Sequence, residues 1–63
     1  MFYFVIQELK GSTYIHGPYR SEEARDQRFD KVIGGEVYKF NSLSSDSEQV
    51  KQEFNDERVR AIK

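Results

Sequence analysis

The chain has 63 residues, ten of them basic and eleven acidic, for a net charge of -1, with one histidine and no cysteine. This balance supplies no general electrostatic pull toward nucleic acid or an anionic membrane, and the composition excludes a disulfide framework and a cysteine-ligated zinc site. Four tyrosines and five phenylalanines in a 37% hydrophobic sequence argue for a folded chain; a single domain over residues 1–63 has a marginal core that association would reinforce.

Phe2 to Leu9 is rich in aromatic and β-branched residues and is predicted to be a strand. Its apolar run, Phe2 to Ile6, is too short to span a membrane and has no basic segment before it, so the expectation is a cytoplasmic protein with no membrane partner. Lys10-Gly11 suits a two-residue hairpin turn, and Ser12 to His16 reads as the second strand. Pairing Leu9 with Ser12 sets Ile6 opposite Ile15, Gln7 opposite Tyr14 and Val5 opposite His16. Side-chain alternation then puts Phe2, Phe4, Ile6 and Ile15 on one face and Tyr3, Val5, Gln7, Leu9, Tyr14 and His16 on the other.

Gly17-Pro18 is expected to stop the second strand, because proline cannot donate to a ladder. Ser21 followed by Glu22-Glu23 is a helix start, with the serine as N-cap and the acids favoured by the helix dipole. The helix is predicted over residues 22–33, with Gly34-Gly35 as its left-handed exit, Ala24, Phe29, Val32 and Ile33 as its apolar patch, and its charged residues mostly in water. Glu36 to Phe40 reads as a third strand. The right-handed crossover rule places it beside the first strand and parallel to the second.

Ser45-Asp46-Ser47-Glu48 matches a capping box, and Val50, Phe54, Ala61 and Ile62 give a broken helical stripe after it. A continuous helix is preferred to a short fourth strand over residues 58–62. The resulting expectation is an α+β fold, a two-layer β-β-α-β-α sandwich whose three-stranded antiparallel sheet has order 2-1-3, with two helices on one face. Phe2, Phe4, Ile6, Ile15, Phe29, Val32, Phe40, Val50 and Phe54 are its expected core, with Tyr38 directed inward and Val37 and Lys39 outward.

No residue cluster has the spacing of a catalytic, metal or cofactor site. His16 lacks an assured carboxylate partner for acid–base work, the acidic groups Glu22/Glu23/Asp26 and Glu53/Asp56/Glu57 read as a helix start and a solvated face, and Gly34-Gly35 follows a helix rather than preceding one. The expectation is therefore a non-catalytic interaction module with no cofactor. Its binding residues are Tyr3, Val5, Leu9, Tyr14 and His16, on a sheet face left open, which would take a second copy, as a homodimer, or another protein. The alternative is weak single-stranded nucleic-acid binding by base stacking on Tyr3, Tyr14 and His16, with Lys39 nearby.

The run Tyr14-Ile15-His16-Gly17-Pro18-Tyr19-Arg20-Ser21-Glu22-Glu23-Ala24 resembles the strand-to-helix transition of SPOR domains, in which Gly-Pro-aromatic precedes a serine and a Glu-Ala pair. That resemblance implies peptidoglycan binding in a periplasmic setting. It covers eleven residues, and neither the family's second repeat nor an export signal is expected here.

Overall fold

The computed structural model describes residues 1–62, with side chains described through residue 57. Strand β1 (Phe2–Leu9) is followed by β2 (Ser12–Tyr19), helix α1 (Glu22–Lys31), β3 (Glu36–Ser42) and helix α2 (Ser47–Ile62). The sheet order is β2-β1-β3, with both pairings antiparallel, so the fold is α+β with three antiparallel strands and two helices.

The β1–β2 register has Leu9 opposite Ser12, Gln7 opposite Tyr14, Ile6 opposite Ile15 and Val5 opposite His16, as the turn length predicts. Lys10 and Gly11 both have positive φ, 52° and 79°, the signature of a type I′ turn whose twist matches that of the strands it joins. The strand does not stop at Gly17-Pro18. It continues to Tyr19 through a one-residue register shift that sets Tyr19 opposite Tyr3, because a bulge lets the chain carry a residue that cannot donate to the ladder. Gly17 is required there: its φ is 131°, and a β-carbon would sit 2.9 Å from the Phe4 ring.

The expected placement of both helices on one face is corrected: alternate strand residues face opposite ways, and α2 packs on one set and α1 on the other. Val50 and Phe54 of α2 form the core with Phe4 and Ile6, and Phe2, Ile15, Tyr38 and Phe40 close around it. The Phe54 ring lies 5.2 Å from that of Tyr38 and 5.8 Å, edge-on, from that of Phe40. Each fully buried side chain of this cluster contributes about 1.5–3 kcal/mol of burial. α1 instead meets Tyr3, Lys39 and Asn41, and the segment after it meets Gln7. Most of the charged residues of α1 face water as expected, but its one buried residue is Arg25, and the expectation that Phe29 and Val32 join the core is corrected: both are only half-buried.

Ser21 is the N-cap, its hydroxyl accepting from the Ala24 N–H at 3.2 Å. α1 ends at Lys31, two residues earlier than expected, with the extended Val32 as C-cap. Gly34-Gly35 therefore does not terminate the helix. It lets the chain pass against β1, since a β-carbon on Gly35 would collide with the Glu8 carbonyl oxygen at 1.9 Å.

The cap of α2 is Asp46 rather than Ser45. Its carbonyl accepts from the Val50 N–H and its carboxylate from the Glu48 N–H. The serines before it repeat the same local turn: the Ser44 N–H donates to Ser42 Oγ and the Asp46 N–H to Ser44 Oγ. Ser42, the first of these steps, also donates to Glu53 of α2 at 2.7 Å, tying the loop to the helix it leads into. The helix is continuous to Ile62, so residues 58–62 form no fourth strand. Any contribution of Ala61 and Ile62 to its apolar stripe lies outside the described side chains.

Candidate functional site

The five residues expected on an open face divide into two groups. Val5 is 0% exposed and Tyr3 is half-buried beneath the Arg25 guanidinium, 5.5 Å from its ring centroid. The face is therefore not open at these positions, because α1 roofs it. Leu9 and His16 are half-buried and Tyr14 is 48% exposed, so the accessible remainder lies along β2 and the turn that precedes it.

Arg25 organises the roofed part. Its Nη1 donates to Asn41 Oδ1 at 2.9 Å, to the Phe40 carbonyl at 3.3 Å and to the Phe4 carbonyl at 3.5 Å, while Nε donates to Asp26 Oδ1 at 2.7 Å. The ring of Tyr3 completes the enclosure. Lys39 reaches the same Asp26 oxygen at 3.4 Å and lies over the Phe29 ring at 4.9 Å. The Arg25 hydrogen bond holds the Asp26 carboxyl below its ordinary pKa, partial desolvation opposes this, and Lys39 assists. Among the described residues, no buried side-chain nitrogen or oxygen lacks a partner.

Gln7 organises the accessible part. Its Nε2 donates to the Ile33 and Gly34 carbonyls at 3.2 and 3.1 Å, and its Oε1 lies 3.1 Å from His16 Nε2. Turning the amide over would set oxygen against two carbonyls, so the orientation is fixed by its partners. His16 Nε2 is then the donor of this bond, tying β2 to the Gln7 side chain on β1. Gln7 is also the cross-strand partner of Tyr14. It thus joins the half-exposed Tyr14 ring on β2 to Ile33, which is 88% exposed just beyond α1.

For stacking, Tyr14 is the most exposed of the three expected rings: His16 is half-buried, Tyr3 already lies against Arg25, and Lys39 already pairs with Asp26. Among the described residues no group of three His, Asp or Glu side chains converges on a point that could hold a metal ion. Nor, among them, is any helix long and apolar enough to cross a membrane.

Arg25, Gln7 and Ile33 were not singled out by sequence reasoning. A charged residue in a mostly charged helix carries no hydropathy signal of burial, and Ile33 looked like part of an apolar stripe that the early end of α1 removes. Comparison of the chain with family models, with curated proteins and with solved structures returned no match, so the short SPOR-like junction supports no family assignment.

Proposed function

We propose that the protein is a small non-catalytic interaction module that self-associates through the β2 side of its sheet, with Tyr14 at the centre and Leu9, His16 and Ile33 beside it. The supporting observation is the exposure of Tyr14 (48%) and Ile33 (88%) on either side of Gln7 in a chain that can spare little apolar surface. A domain of this size without cysteine gains from association what a disulfide would otherwise supply. The cysteine-free composition suits a reducing compartment, and the reading takes the cytoplasm as its setting.

Sedimentation velocity over a concentration series tests the reading. The wild-type mass should rise with concentration, while Tyr14→Glu combined with Ile33→Glu should stay monomeric with an unchanged far-UV circular dichroism spectrum. A wild-type monomer at every concentration defeats it.

A further inference from the structure

We propose that β2 is the seam of a two-fold dimer, paired antiparallel with β2 of a second copy so that two three-stranded sheets become one, with Tyr14 facing Tyr14 at the dyad. The proposal rests on the self-association reading above and specifies its geometry.

β2 is an edge strand, with β1 on one side and, among the described residues, no strand on the other. The type I′ turn at Lys10-Gly11 makes Leu9 and Ser12 a mutually hydrogen-bonded pair. Alternation then turns the backbone groups of Tyr14 and His16 toward β1 as well. Those of Thr13 and Ile15 point outward, so the free edge presents two N–H donors and two carbonyl acceptors.

A second β2 strand running antiparallel presents the same set in reverse. Thr13 of each copy opposite Ile15 of the other satisfies all of these groups, with Tyr14 on the two-fold axis. The neighbouring register, centred on Ile15, would call on Gly17, whose φ of 131° takes it out of strand geometry. Tyr14 at the axis forms a non-hydrogen-bonded pair, the kind in which α-carbons approach to about 4.5 Å and side chains meet most closely.

Charge favours a second copy as the occupant and β2 as the edge. Free edges that avoid pairing carry charged side chains, and β3 has Glu36 and Lys39. The eight residues of β2 include no Lys, Arg, Asp or Glu, so antiparallel self-pairing opposes no like charges. The bulge at Gly17-Pro18 ends the pairable segment, and the charged β3 edge leaves the dimer without a further edge suited to growth. A seam of about five residues per strand falls below a standard interface, so the dimer is weak and concentration-dependent.

Amide hydrogen exchange on the unmodified protein tests the seam between about 10 μM and about 1 mM. Thr13 and Ile15 should slow by more than about tenfold as concentration rises, while Tyr14 and His16, already bonded to β1, should not change. Because the chain has no cysteine, Tyr14→Cys also supplies a single reporter at the axis, expected to oxidise to a covalent dimer where Lys39→Cys on β3 does not. A mass that doubles with no change at Thr13 and Ile15, or cross-linking through Lys39→Cys alone, overturns the seam and leaves self-association standing. A monomer at the highest concentration ends both. If circular dichroism shows Tyr14→Cys misfolded, the exchange data decide.

Discussion

The two sides of the sheet are held by different chemistry. On the α2 side, Val50 and Phe54 meet Phe4 and Ile6 in a contact made of hydrocarbon and aromatic rings. On the α1 side the central contact is an arginine, 4% exposed, that donates to two strand carbonyls, an asparagine and an aspartate. The comparison shows that a helix without an apolar stripe can still be seated, provided the group it buries has its donors satisfied. A half-satisfied arginine at the same place would oppose folding.

The largest effect is expected where the contact is hydrocarbon. Phe54→Ala should cost about 3–5 kcal/mol, most of what a domain this small has, and thermal unfolding should show little cooperative transition left. A cooperative transition near the wild-type midpoint would mean that α2 is dispensable and the comparison misplaced.

Arg25→Met, which keeps the aliphatic stem and removes the donors, should cost about 1.5–3 kcal/mol by the scale of a charged hydrogen bond. Its effect should also be local, with exchange rising at α1 amides before those of β1. An equal rise throughout would show that the two sides unfold as one unit.

Ser21→Ala should cost about 0.5–2 kcal/mol through loss of the bond to the Ala24 N–H, and Ser21→Gly only a few tenths, as read by chemical denaturation. The smallest effect concerns Asp26. Its carboxyl titrates below the ordinary value of 3.8 in the folded state, so its contribution is full above that value and is lost as pH falls through the folded-state value. Acid titrations of wild type and Asp26→Asn should therefore differ near neutral pH and converge in strong acid. Curves that stay parallel would remove Asp26 from the α1 contact.

Much of the fold was legible because it depends on short-range rules. Lys10-Gly11 and the alternation around it specify the hairpin register, crossover handedness specifies the strand order, and Ser21 before two glutamates specifies a helix start. The errors share a cause, in that each depends on what a residue meets across the chain. Arg25 reads as solvated until Phe40, Asn41 and Phe4 surround it, and Val5 reads as exposed until α1 lies above it. Asp46 displaces Ser45 as cap because the stepped turns from Ser42 set where α2 begins. Of the expected site, Tyr14 remains half-exposed, Leu9 and His16 are partly accessible, and Tyr3 and Val5 belong to the α1 contact.

The register shift at Gly17-Pro18 acts on side chains as a frameshift acts on codons. Up to His16 the even-numbered residues of β2 lie on the α1 side; past the extra residue the parity inverts, and the odd-numbered Tyr19 falls there, where its hydroxyl accepts from Arg28 Nε at 3.0 Å. The junction into α1 therefore depends on residue count as well as residue type. Removing one residue between His16 and Tyr19 would send the Tyr19 ring through to the α2 side, even with every remaining amino acid unchanged.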